Sequence, residues 1–142
     1  MLETAIVGGG LCGLALARRL QEQGLGFALF EARPRLGGRI LSIICSKSDN
    51  ALDLGPTWFW SDIHPHISRL TADLELTTFP QHDSGTVLHL REGDKKPELI
   101  EGKEVHNGAR RLEGGMARLV EALAKDLPHE CIYRLYPDGT AG

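Results

Sequence analysis

The chain opens with short, wholly apolar runs separated by a longer amphipathic one. Thr4-Ala5-Ile6-Val7 has strand length and breaks abruptly at Gly8-Gly9-Gly10. From Leu11 to Gln23 apolar residues cover most of the first three turns, with Arg18, Arg19 and Glu22 entering later, which predicts a helix. Gly24 stands where a helix commonly ends in a left-handed residue. Phe27 to Phe30 is a second all-apolar run, the pattern of a strand buried on both faces of a parallel sheet. Strand, glycine turn, helix, strand: the pattern predicts an α/β fold built on a Rossmann-like βαβ unit.

Beyond this unit, Ile40 to Cys45 is a third apolar run, and Ser46 to Asn50 reads as a polar turn. Pro65 suits the first turn of a helix, and Ile67, Leu70, Thr71 and Leu74 follow at helical spacing for about three turns. Thr77 to Phe79 and Thr86 to Leu90 read as short strands, and Glu92 to Pro97 as an exposed turn leading to Glu98-Leu99-Ile100. Met116, Leu119, Val120, Leu123 and Leu127 form the apolar face of a later helix that Pro128 stops. On its outer face Glu121 and Lys125 are spaced for an ion pair. Cys131 to Tyr136 is a last strand candidate, followed by a Pro137-Asp138-Gly139 turn.

Composition narrows the class only slightly. At 142 residues, 42% hydrophobic and 25% charged, the chain has the make-up of one globular domain with a core. A net charge of -3 argues against a nucleic-acid or anionic-membrane partner. No apolar stretch has the length to span a bilayer. Met1 sits so close to the first strand that no signal peptide is expected. Cys12, Cys45 and Cys131 form neither a metal spacing nor an even disulfide set, which points to a reducing, cytoplasmic setting. His64 and His66 have no third ligand at metal spacing and read as surface or capping residues.

The candidate chemistry lies in the glycines. Gly8 permits a tight turn out of the strand, Gly10 lets a pyrophosphate approach the backbone, and Gly13 lets the helix pack closely on the sheet. The helix beginning at Leu11 and Cys12 points free N–H groups and a positive dipole end at that anion. Glu31 closes the second strand, where a carboxylate accepts hydrogen bonds from ribose hydroxyls. The glycines alone do not choose between a nicotinamide and a flavin dinucleotide. In the run after Glu31, Gly37-Gly38 permits a further close backbone approach, and Arg33, Arg35 and Arg39 place cations around a diphosphate.

Glu31-Ala32-Arg33-Pro34-Arg35-Leu36-Gly37-Gly38-Arg39 resembles the second nucleotide motif of the flavin-dependent amine oxidases. Phytoene desaturases and protoporphyrinogen oxidases share much of it. Asp53-Leu54-Gly55-Pro56-Thr57-Trp58 is similar to a segment that passes close to the flavin in that family, and Gly114-Gly115 opening a helix also fits. The resemblance implies a glutathione-reductase-like FAD-binding domain. Residues 1–60 form its first portion, 61–108 begin an inserted substrate region, and 109–142 return to the nucleotide domain. The implied cofactor residues are Gly8, Gly10, Leu11, Cys12, Gly13, Glu31, Ala32, Arg33, Gly37, Gly38, Arg39, Gly55, Pro56, Thr57 and Trp58.

The resemblance implies oxidation of an amine C–H by hydride transfer to flavin N5, with reoxidation by oxygen. No catalytic residue is assigned. Lys47, Lys95, Lys96, Lys103 and Lys125 fall in turns or on a solvated helix face, away from the context of the lysine that many members place beside the flavin. Family members run to several hundred residues, so this polypeptide alone is expected to be inactive. A truncated, non-catalytic nucleotide-binding or interaction module, or the N-terminal part of a related flavoprotein, stands as the alternative. An NAD-binding domain is a third reading, against which Gly37-Gly38-Arg39 argues.

Overall fold

The computed structural model describes residues 3–90, 93, 96–101 and 106–134. In chain order the strands are β1 (Thr4–Val7), β2 (Phe27–Glu31), β3 (Ser42–Ile44), β4 (Ala51–Asp53), β5 (Phe59–Trp60), β6 (Thr78–Pro80), β7 (Thr86–His89), β8 (Glu98–Glu101), β9 (Ala109–Leu112) and β10 (Ile132–Arg134). The helices are α1 (Leu11–Glu22), α2 (Pro65–Asp73) and α3 (Ala117–Ala124).

The expected βαβ unit is present. β1 and β2 run parallel, with Thr4 beside Phe27 and Val7 beside Phe30, and α1 crosses between them. α1 ends as its sequence requires. Gly24 takes φ +69°, its N–H bonds the Gln21 carbonyl, and the Leu25 N–H folds back to Leu20 at 2.9 Å. This is a Schellman closure, which the left-handed glycine makes possible. β10 adds to the other side of β2, also parallel, so the sheet order is β1-β2-β10.

One face of this sheet carries the core. Ile6, Phe27 and Leu29 pack with Leu14, Ala17 and Leu20 of α1 and with Leu119, Val120 and Leu123 of α3. The other face is covered unevenly. Ala28 of the central strand is buried, Phe30 stacks on Tyr133 at 5.3 Å, and Val7 of the outer strand is 88% exposed.

The second sheet is antiparallel, in the order β5-β9-β6. β9 is a strand that the Ala-Arg-Arg-Leu pattern does not announce. It forms because its arginines find cross-strand partners. Arg110 donates to the hydroxyl and carbonyl oxygens of Thr78, while Arg111 lies over the Phe79 ring at 6.0 Å. Strands from either side of residues 60 and 108 therefore share one sheet with β6. Two hairpins, β3–β4 and β7–β8, complete the described fold.

Several local expectations shift. α3 stops at Ala124, yet Leu127 is still buried through a turn bonded to the Ala124 carbonyl. Glu121 pairs with Arg118 at 2.8 Å, one turn back, rather than with Lys125. The apolar run from Ile40 to Cys45 contributes only three strand residues, because Arg35 reaches the Ile40 carbonyl and holds the preceding loop. Tyr136 and the Pro137-Asp138-Gly139 turn lie outside the described residues, as does part of the turn from Glu92 to Pro97. No described helix is long and apolar enough to cross a membrane.

Leu119 has no exposed surface and sits between α1 and the sheet. Leu119→Ala is expected to cost about 2–5 kcal/mol, the range for a core leucine that leaves a cavity. Denaturant unfolding followed by circular dichroism checks this, and an unchanged midpoint would remove Leu119 from the core.

Candidate functional site

At the end of β1 each glycine answers a different demand. Gly8 sits at φ +99°, a backbone that side-chain-bearing residues rarely adopt. A Cβ on Gly13 would overlap the Gly8 carbonyl oxygen and press on Ile6, so Gly13 lets the helix close against both loop and sheet. Gly9, which no expectation singled out, is less constrained, because a Cβ there would meet the tip of the flexible Leu36 side chain and no backbone atom. Gly10 is different. Its φ of -79° suits any residue, and the nearest atom to an added Cβ is the Gly38 Cα at 3.9 Å. Neither backbone nor packing requires glycine at that position. What an added side chain would fill is the open space beside the loop.

That space lies at the start of α1. Gly10 is its N-cap, with no side-chain cap and no acidic residue in the first turn. The opening N–H groups at Leu11, Cys12 and Gly13 have no carbonyl one turn behind them in the helix. Cys12 is exposed there.

Glu31 is only 7% exposed, and both of its oxygens are engaged. Oε2 accepts the Gly9 N–H at 2.8 Å, and Oε1 accepts the Arg33 N–H at 2.8 Å. The carboxylate thus ties the glycine loop to the end of β2. A carboxylate offers about four lone-pair positions, so each oxygen retains one for a hydroxyl donor.

The second glycine pair serves the first. Gly37 donates to the Gly9 carbonyl at 2.8 Å, and Gly10 and Gly37 form an isolated parallel bridge. Gly37 and Gly38 have φ of +101° and +58°, and a Cβ on Gly38 would lie 3.4 Å from the Gly10 Cα. Two of the three expected cations bond the loop itself. Arg33 donates to the Gly38 carbonyl at 3.1 Å, while Arg35 reaches the carbonyls of Leu36, Gly38 and Ile40. They brace the loop. Ala32 and Arg39 are exposed, and among the described residues the Arg39 side chain has no hydrogen-bond or ion-pair partner.

The segment from Gly55 to Trp58 comes next in space. Leu54 donates to the Leu41 carbonyl at 2.8 Å, and a Cβ on Gly55 would overlap the Arg39 carbonyl oxygen. Pro56 is exposed, and the Thr57 hydroxyl turns back to the Gly55 carbonyl at 3.3 Å. Trp58 is 40% exposed yet held in place, its Nε1 donating to Gln81 at 2.8 Å and its ring packing on His106 at 4.6 Å. Of the consecutive aromatic residues Trp58, Phe59 and Trp60, only Phe59 is buried. Gln81 and His106 carry no sequence signal of this role, since they meet Trp58 only through folding. His64 occupies the N-cap position of α2, but its ring faces back to the Trp60 N–H at 3.2 Å rather than into the helix.

The contacts join these pieces in series: Glu31 to Gly9, Gly10 at the helix start to Gly37 and Gly38, and the Arg39 carbonyl to Gly55.

Comparison with known proteins agrees. A family model described as an NAD(P)-binding Rossmann-like domain matches residues 6–74. The chain is 32% identical over 126 residues, 88% of its length, to a probable flavin-containing monoamine oxidase A of Dictyostelium discoideum. It is 27% identical over 133 residues to the flavin-containing amine oxidase B of Bos taurus. The structure of putrescine oxidase bound to putrescine superposes with a TM-score of 0.61 at 31% identity, covering 71% of this chain and 22% of that one. The chain spans about a quarter of the length of the curated relatives it matches. With a glycine cradle, a buried carboxylate and relatives that match nearly its whole length, these similarities support a flavin amine oxidase family for the chain, as an N-terminal fragment.

Proposed function

We propose that the chain is the FAD-binding portion of an amine-oxidising flavoenzyme. The observation that carries this reading is Gly10, whose missing side chain is explained by neither strain nor packing and which borders an uncapped helix start. FAD is favoured over a nicotinamide nucleotide because the relatives that match most of the chain are flavin-containing. In this reading residues 1–60 and 109–142 hold the nucleotide, and 61–108 begin the substrate side.

The roles of the residues rest on their geometry. The N–H groups of Leu11, Cys12 and Gly13 bind the pyrophosphate at the positive end of α1. Glu31 accepts the ribose hydroxyls on its remaining lone pairs, with Ala32 and Arg33 shaping the rim. Arg39 is the cation left free to face a phosphate. Gly55, Pro56, Thr57 and Trp58 wall the ring end. When bound, the flavin supplies the hydride acceptor for a C–H next to an amine nitrogen. The protein's part is to position that acceptor and to exclude water.

Three outcomes are expected. Glu31→Gln replaces one acceptor oxygen by a donor that must face a backbone N–H, and should weaken FAD binding by about 1.5–3 kcal/mol. Parallel titrations with FAD and NAD measure it, and equal FAD affinity in both proteins would remove Glu31 from the site. Gly10→Val should keep the native circular dichroism, since the protein leaves room for a Cβ at that position, yet lose FAD binding. Retained binding would move the phosphates elsewhere. The 142-residue polypeptide on its own should release no peroxide with a panel of amines. Steady FAD-dependent peroxide production would overturn the assignment of catalysis to a longer chain.

A further inference from the structure

Asp53 ends β4, two residues before Gly55, and its Oδ1 is shared between two donors. It accepts the Ser42 hydroxyl at 2.5 Å and the Met116 N–H at 2.8 Å. The Ser42 oxygen in turn accepts the Ala117 N–H at 3.0 Å. One carboxylate and one hydroxyl therefore join both strands of the β3–β4 hairpin to the first turn of α3. The approach is close enough to need glycine: a Cβ on Gly115 would stand 3.0 Å from both Asp53 Oδ1 and Ser42 Oγ.

Capping alone does not require this arrangement. A serine or aspartate at the N-cap position would cap the helix locally by accepting the Arg118 or Leu119 N–H, not those of Met116 and Ala117. That position holds Met116, which is buried in the core, and the cap comes from a residue 63 positions away. The consequence falls on the residues just after Asp53. Leu54 is fastened to Leu41, and Gly55 lies against the Arg39 carbonyl, one residue from the Gly38 that touches Gly10. The segment that walls the ring end is thereby set by the docking of α3, whose Leu119 and Leu123 pack in one core with Leu14 and Leu20 of α1.

We propose that Asp53 is a positioning residue that holds Gly55 to Trp58 at the ring end of the bound nucleotide, a role that rests on reading the cradle as an FAD site. ADP fills the cradle without the ring, so the ratio of FAD to ADP affinity isolates the ring end. Asp53→Ala should lower FAD affinity about fivefold while changing ADP affinity by less than about twofold, the loss of one or two hydrogen bonds acting only where the segment moves. The visible band of bound flavin should shift toward that of free flavin. Asp53→Asn keeps an acceptor oxygen and should restore both the ratio and the band.

An unchanged ratio and an unchanged band in Asp53→Ala would overturn the proposal and leave Asp53 a helix cap only. If circular dichroism shows that Asp53→Ala does not fold, Ser42→Ala replaces it, and an unchanged ratio there overturns the proposal equally. Failure of the unsubstituted protein to bind either FAD or ADP would overturn the cradle reading itself, and this proposal with it.

Discussion

The Glu31 carboxylate holds the site together. Burying a charge costs several kcal/mol unless donors surround it, and here two backbone N–H groups from different loops do so. The Gly9 N–H comes from the turn after β1, and the Arg33 N–H from the turn after β2. The bond fixes both turns relative to the sheet end. The Gly37 N–H to the Gly9 carbonyl then locks the second glycine loop onto the first. Without Glu31 the two loops would share only that bridge, and Gly9 would leave a buried donor unpaired.

This arrangement revises the division of labour among the arginines and glycines. A cluster of arginines beside a dinucleotide motif suggests direct charge neutralisation. Arg33 and Arg35 instead spend their donors on the carbonyls of the loop that carries Gly37 and Gly38. A loop with two left-handed glycines is entropically costly to order, and guanidinium groups bonded to several carbonyls at once are well shaped to order it. Gly37 and Gly38 are needed for contact with Gly9 and Gly10, so their first duty is to the protein.

The helical and antiparallel parts play complementary roles. α1 and α3 share one core beneath the glycine loops. The β5-β9-β6 sheet carries Trp58 and Trp60 beyond it, each fastened to the loop around His106. The ring-end segment therefore sits between two anchors, Asp53 toward α3 and Trp58 toward His106. Held at both ends, it has little freedom to follow a ligand.

The βαβ unit, the place of its turn and the end of α1 were all legible in the sequence, because each depends on local chemistry. Apolar runs, a triplet of glycines and a single left-handed Gly24 act over a few residues. The family resemblance of the Glu31 to Arg39 run was legible for the same reason, since a nucleotide is bound largely by backbone. What the tertiary structure alone decided involves partners distant in the chain. β9 became a strand because Thr78 and Phe79 were there to receive Arg110 and Arg111. Gly55 revealed its constraint only when the Arg39 carbonyl came to lie against it. Side-chain donors and steric limits of this kind are set by neighbours, and the order of residues along a chain does not name its neighbours.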